Sequence, residues 1–281
     1  MPDEDLLSIG KAAEYVNAPK ALLENGEEVP IQTIGRRRYF SKAALDEWVE
    51  KRRQRTMDLG KADYAKCFDF ALAMYYRGYT AVDWGTARKR EAGQGITNWI
   101  RGQLGEIAVQ KFLSQKFGID VELDFDLHDA IVPQDIIGVK EGRTTREPHL
   151  KVGIKATKFR NSFLILSAAD VEPTNRKSDV YILTRINLPD DHMLRISKPE
   201  LDRLLQNEKY FSSYRSKLLA FEPIPCEVVG FSYIRELERE ENQERLAQIL
   251  GTRSVSGYRY IKAAGNMRHS NQDWQALADR L

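Results

Sequence analysis

Asp135, Gly153 and Lys155 mark the segment of this chain where charged side chains have most to do. In "VPQDIIG", Asp135 opens one strand candidate. In "HLKVGIKATKF", residues 149–159, Val152 and Ile154 fall on one face of a second strand, and Lys151, Gly153 and Lys155 on the other. The stretch "EGRTTREP" reads as the turn between them, so a hairpin brings the carboxylate and the ammonium to one sheet face. Glu106 lies upstream on a helix beside Gly102 and Gly105, whose missing side chains let that helix approach the sheet. Two acids and a lysine gathered in this way can hold, donate or neutralise charge at a reacting group. Without further support, an Asp–Lys pair on neighbouring strands is a surface ion pair. Gly153 is the anomaly. Glycine inside a strand costs roughly 0.5–1 kcal/mol relative to alanine, so something other than strand propensity places it there.

The elements that must carry these residues can be read from pattern. The chain has 281 residues, 42% of them hydrophobic and 10% aromatic, enough for a sizeable core in one large domain or two ordinary ones. Helical spacing covers 64–79 and 96–117, with Gly118 as the stop of the second helix. Strand candidates follow at 135–140, 150–157, 162–168, 179–188 and 226–234, with polar helices at 198–211 and 235–250. The class is therefore α/β, a mixed sheet with covering helices. A small head occupies residues 1–55, a helical linker region 56–95 and the main domain 96–281, with "EKRRQRTMDLGKAD" at 50–63 as a basic joint.

Composition excludes several alternatives. No apolar run approaches the ~18–20 residues of a membrane span, and the opening "MPDEDLLSIG" is acidic, unlike a secretory signal. A cytoplasmic protein with no membrane partner is expected. Cys67 and Cys226 are too few for a disulfide framework or a thiolate zinc site and read as buried thiols. His128, His149, His192 and His269 have no metal spacing and read as exposed or structural. A formal charge of +2 announces no nucleic-acid partner, so local clusters must make that case.

The arrangement from about residue 100 to 168 resembles the PD-(D/E)XK nuclease superfamily, in which a helix acid precedes a strand-opening aspartate and a strand bearing acid-x-Lys. "GQLGE" supplies Glu106, "PQD" supplies Asp135 after Pro133–Gln134, and "GIK" supplies Lys155. The resemblance implies a restriction-endonuclease-like core. It also implies Mg²⁺, with Mn²⁺ as a substitute, held by Asp135, Glu106 and the backbone carbonyl of Ile154. The ion polarises the scissile phosphate and activates water, while Lys155 stabilises developing charge. Gly153 stands where the family has its second acid. Glu147, about 20 Å away along the strand, is out of reach. Two explanations stay open, a natural degenerate site or a replaced glutamate. The second is favoured, so this chain is expected to be an impaired nuclease.

The head has its own pattern. Ser8 is a helix N-cap for "IGKAAEYV", "PKALLEN" forms a second short helix ended by Gly26, "VPIQTIGRRRYFS" turns as a hairpin near Gly35, and "KAALDEWVEKRR" returns as a third helix. This order resembles the excisionase-like winged helix-turn-helix family. The resemblance implies that the second helix, beginning at Lys20, enters the DNA major groove and that Arg36, Arg37 and Arg38 on the wing grip phosphates or the minor groove. Lys158, Arg160 and Asn161 are expected to follow the DNA backbone. The C-terminal segment, with Arg253, Tyr258, Arg259 and Arg268, reads as a flexible loop for phosphate and base contact, or alternatively as packing on the core.

Together the two resemblances imply a sequence-specific, Mg²⁺-dependent endonuclease on double-stranded DNA, of type II restriction or phage-defence kind. A homodimer supplies one site per strand. The competing class is a non-catalytic DNA-binding regulator built on a degenerate nuclease core.

Overall fold

Six short elements open the chain: β1 (Leu6–Ser8), α1 (Ile9–Tyr15), α2 (Lys20–Asn25), β2 (Gln32–Ile34), β3 (Arg37–Ser41) and α3 (Lys42–Gln54). A computed structural model describes residues 5–25, 27–77, 91–127, 134–172, 178–252 and 255–281. The three strands form an antiparallel sheet in the order β1-β3-β2. Gly35 turns the β2–β3 hairpin with φ +62°, a conformation that favours glycine. Ser41 Oγ accepts the Ala44 amide at 3.2 Å and starts α3. Ser8 precedes α1, but its side chain makes no capping hydrogen bond. The sheet and helices enclose Leu22, Leu23, Phe40, Leu45 and Trp48.

The remaining chain builds a mixed α/β body. Its elements are β4 (Thr56–Leu59), α4 (Lys61–Tyr76), α5 (Ala92–Phe117), β5 (Val121–Leu123), β6 (Ile136–Glu141), β7 (Thr144–Arg146), β8 (Val152–Lys158) and β9 (Phe163–Leu166). There follow α6 (Ala168–Val171), β10 (Val180–Ile186), α7 (His192–Leu205), α8 (Phe211–Tyr214), β11 (Ile224–Tyr233), β12 (Glu238–Glu240), α9 (Gln243–Leu250), β13 (Arg259–Ala263) and α10 (Asn271–Ala278). The main sheet runs β4-β11-β10-β8, with β8 parallel to β10 and the other pairs antiparallel. Two smaller sheets run β12-β13-β9 and β5-β6-β7. β10 is buried at every position, which is why its sequence is a nearly continuous apolar run.

α5 crosses the main sheet where Gly105 allows it. A Cβ there would lie 2.5 Å from Thr184 Oγ1 and 2.7 Å from Ala156 Cβ, so any larger residue pushes the helix off the sheet. Gly102 meets nothing comparable. Gly118 ends the helix in the left-handed conformation. Among the described residues no helix is long and apolar enough to cross a membrane.

Four expectations are corrected. Residues 56–76 are no linker: β4 pairs with β11, and Leu59, Tyr64 and Cys67 are buried in the main core. The hairpin after Asp135 is not β6 with β8. Gly142, at φ +63°, turns β6 back on β7 instead. The helix expected over 235–250 is split, because β12 pairs with β13 and Asn242 caps a shorter helix through its hydrogen bonds from the Glu244 and Arg245 amides. The helix expected over 198–211 is displaced to α7, with α8 after it.

The head is locked to the body by buried charge. Arg185 on β10 is fully buried and donates to both carboxylate oxygens of Glu28 in the head. Its guanidinium also lies 3.4 Å from Glu227 Oε2 on β11. Arg52 of α3 meets the same Glu227 oxygen at 2.9 and 2.8 Å, and Arg55 lies 3.7 Å from the other. The Arg52 guanidinium stacks between the Trp48 and Phe159 rings. Removing one partner of such a cluster strands the others in low dielectric. Arg185→Ala is therefore expected to lower unfolding free energy by about 3–5 kcal/mol, read as a urea midpoint shift. A loss below ~1 kcal/mol would mean the network is dispensable.

Candidate active site

β8 organises the site because its successive peptide groups point to opposite edges. The Lys151 carbonyl accepts the Asp179 and Val180 amides on the β10 side. Val152 and Ile154 therefore present their N–H and C=O groups on the other side, toward Asp135. There the Asp135 amide donates to the Val152 carbonyl at 3.0 Å, and the Ile154 amide donates to Asp135 Oδ2 at 2.5 Å. Asp135 is thus held at the β8 edge by this local clasp and not by a hairpin, while the Lys155 ammonium it was expected to meet pairs with Asp170. The Ile154 carbonyl lies on the same strand edge.

Glu106 approaches from α5. It is buried, and its Oε1 accepts from Gln103 Nε2 at 3.1 Å. Burial raises the Glu106 carboxyl well above the ordinary range, and the charges of Asp135 and Asp124 add to the rise. Burial also raises Asp135, against the opposing pull of the Ile154 amide and Lys155. Asp124 belongs to this electrostatic neighbourhood although the sequence reading passed over it.

Lys155 is engaged by a residue that sequence reading also missed. Its ammonium lies 2.9 Å from Asp170 Oδ1 on α6 and 5.6 Å from the centre of the Tyr181 ring. Asp170 Oδ2 accepts from the Ser167 hydroxyl at 2.6 Å and the Ser167 amide at 2.9 Å. Burial pushes the Asp170 carboxyl up, but Lys155 and the Ser167 hydrogen bonds outweigh it and leave it below its ordinary range. "SAAD" carried a visible signal, a Ser with an acid three residues later, but that pattern marks a helix start and not a partner for Lys155.

Gly153 has a packing reason. It is the register partner of Tyr181, and a Cβ at 153 would lie 2.5 Å from Tyr181 Cε1 and 2.8 Å from Ser178 Oγ. The tyrosine occupies the space an acid would need, held by its hydroxyl donating to the Asp170 carbonyl at 2.8 Å.

The donor set suits a hard divalent cation. Among the described residues no three acid, imidazole or thiol side chains gather as a metal cluster. Mg²⁺ is, however, commonly held by only one or two carboxylates, with waters and substrate oxygens completing its shell. Glu106 and Asp135 provide two, and the buried amide oxygens Gln103 Oε1 and Gln134 Oε1 have no hydrogen-bond partner. Gln103, with its amide on Glu106, sets one such orphaned oxygen beside the carboxylates, which fits an oxygen-seeking ion. No family model, curated protein or solved structure matches the chain. The functional reading therefore stands on the geometry and on the resemblances in the sequence.

The residues expected to meet DNA divide into two groups. Lys20 is exposed at the start of α2, and Arg36, Arg37 and Arg38 are exposed on the β2–β3 hairpin. Arg38, Lys158, Arg160 and Asn161 line one groove between head and body. The described members of the C-terminal group are paired with the body, around β13 and before α10, and do not form a free loop. Arg268 pairs with Glu236 at 2.6 Å and Asp273 at 3.4 Å, and Tyr258 donates to Glu172 at 3.0 Å. Arg259 donates to the Ser256 and Tyr258 carbonyls. Arg253, Pro133, Gly26 and His128 lie outside the described residues. His192 is buried against the Tyr64 hydroxyl and Thr97 and is held neutral, its pKa lowered to about 4 by burial and then by Arg101.

Two outcomes follow. Gly153→Ala forces the Tyr181 ring to move and is expected to destabilise the protein by ~1–3 kcal/mol in urea titrations; no loss would show that the ring yields freely. A carboxyl whose pKa rises on folding costs stability above its unfolded range of about 4.3, and that cost fades as pH falls through the folded value. Glu106→Gln is accordingly expected to raise the urea midpoint at pH 7.5 in chelator, with the gain shrinking toward pH 4. A lower midpoint at pH 7.5 would contradict the buried-carboxyl account.

Proposed function

We propose that this protein is a metal-dependent endonuclease acting on double-stranded DNA, with a restriction-endonuclease-like core and a winged-helix head. The observation that carries the reading is the clasp of Asp135 on the Ile154 amide beside buried Glu106, with Lys155 on the same strand. Glu106 and Asp135 are the residues to hold Mg²⁺, with the Ile154 carbonyl on the adjoining edge. When bound, the ion supplies Lewis-acid polarisation of a phosphate oxygen. The chain's own residues do the positioning. The Ile154 amide fixes the Asp135 carboxylate, and Asp170 with the Tyr181 ring orients the Lys155 ammonium toward developing negative charge. The exposed wing arginines contact phosphates, which makes binding salt-dependent. Scission of both strands calls for two copies of the site, hence a homodimer.

A second reading has its own support. Gly153 supplies no carboxylate and Lys155 already has an acid partner, as in a core that holds DNA without cutting it. Plasmid and phage DNA, methylated and unmethylated, incubated with Mg²⁺ or with chelator separate the two. Because Gly153 supplies no second acid, only slow cleavage to discrete fragments is expected, and only with Mg²⁺, with Asp135→Asn and Lys155→Ala slowing it about 10²–10³-fold further while DNA affinity persists. Retained binding with no cleavage of any substrate would establish the regulator instead.

A further inference from the structure

A groove of about 790 Å³ runs along the seam between α2 of the head and β8, β9 and α9 of the body. That volume is in the range of sites for small organic ligands, roughly 300–1,000 Å³. Three cations face it from opposite sides of the seam, Arg38 from the head and Lys158 and Arg160 from the body. Among the described residues none of the three side chains has a hydrogen bond or an ion pair. Arg245, which also lines the groove, is already neutralised by Glu240 at 2.8 Å. Glu24 and Glu27 also line the groove, but its cations outnumber these acids, so the arrangement suits an anion. The groove is not only a phosphate cradle. Ile165 and Leu250 give it apolar surface, and the amide of Gln248 offers both a donor and an acceptor.

The walls decide the size of the guest. α2 is tied down, since Ser162 Oγ donates to the Ala21 carbonyl at 2.9 Å and Asn266 donates to Glu27 at 2.7 Å. A Cβ at Gly265 would overlap the Glu27 carbonyl, so the head backbone sits directly on the body there. A helix held in this way, with α9 across the groove from it, turns this face to the body and not to a duplex major groove about 12 Å wide. Phosphate-binding cations, apolar surface for a ring and an amide for its polar edge are instead what one nucleotide needs.

We propose that the seam groove is a binding pocket for a single nucleotide unit, its phosphate on Arg38, Lys158 and Arg160 and its base against Ile165 and Leu250 within reach of Gln248. It goes beyond the nuclease reading and does not require the chain to cut DNA. Lys158 is three residues from Lys155 on β8, about 10 Å along the strand and turned to the opposite sheet face, so the pocket is a site separate from the candidate active site.

Fluorescence anisotropy with matched duplexes and with duplexes carrying one unpaired nucleotide tests a nucleotide extruded from bound DNA. Calorimetry with the four mononucleotides tests the free one. The unpaired duplex is expected to bind about ten-fold more tightly, and Arg160→Ala or Gln248→Ala to bring that ratio close to one. If the chain binds no DNA, mononucleotide binding that Arg160→Ala weakens about ten-fold still supports the pocket, for free nucleotides. A ratio near one in the unaltered chain with no mononucleotide binding overturns the proposal. So does competition by inorganic phosphate or an acidic peptide equal to that of a mononucleotide, or an Arg160→Ala variant that weakens both duplexes equally. Cleavage with Mg²⁺, scored separately, reports on the nuclease reading alone.

Discussion

A guanidinium sealed from solvent must be neutralised where it stands, and Arg185 is neutralised from two directions. Glu28 reaches it from the head and Glu227 from the neighbouring strand, while Arg52 and Arg55 share the second carboxylate. None of these charges is stable alone in low dielectric, so each makes the others' positions obligatory. A head with so small a core has little independent stability, and this network joins it to a body with a much larger one. The seam groove, the docking of the β8 C-terminal end on the head and the placement of the β2–β3 hairpin all inherit their geometry from that junction.

Close approach is the second organising constraint. Gly105 lets α5 lie on β8 and β10, which brings Glu106 to the edge where Asp135 is clasped. Gly153 lets the Tyr181 ring cover β8, and the same ring carries the Lys155 ammonium and hydrogen-bonds the turn that presents Asp170. Each glycine is a place where a neighbour occupies the volume of a missing side chain. The strand glycine that looks costly by propensity is offset by the packing it permits.

Local signals were legible in the sequence, and long-range ones were not. The β2–β3 turn at Gly35, the stop at Gly118 and five of the eight described body strands from Asp135 onward follow from turn chemistry and from periodicity. The run at 235–250 misled because its Glu, Arg and Gln residues favour helix throughout, yet pairing of β12 with β13 overrode that preference in its first half. Arg185 and Glu227 were visible as charges inside apolar strands, which signals a need for partners without saying which. Asp170 could not be assigned to Lys155, because only the tertiary path from β9 through α6 brings them together. The C-terminal arginines and tyrosines look free in sequence, and acids distant along the chain, Glu172 and Glu236, engage Tyr258 and Arg268.

The junction also bears on how such a protein can change over generations. A head joined by a flexible tether can be exchanged for another as a cassette, with the body unaffected. This head cannot, because a replacement lacking a carboxylate at the place of Glu28 would leave Arg185 half-neutralised inside the body, at a cost of several kcal/mol. Variation in the hairpin is therefore confined to substitutions at its exposed tip, around Arg36 and Arg37, while the seam behind it stays fixed. Head and body would be inherited as one piece.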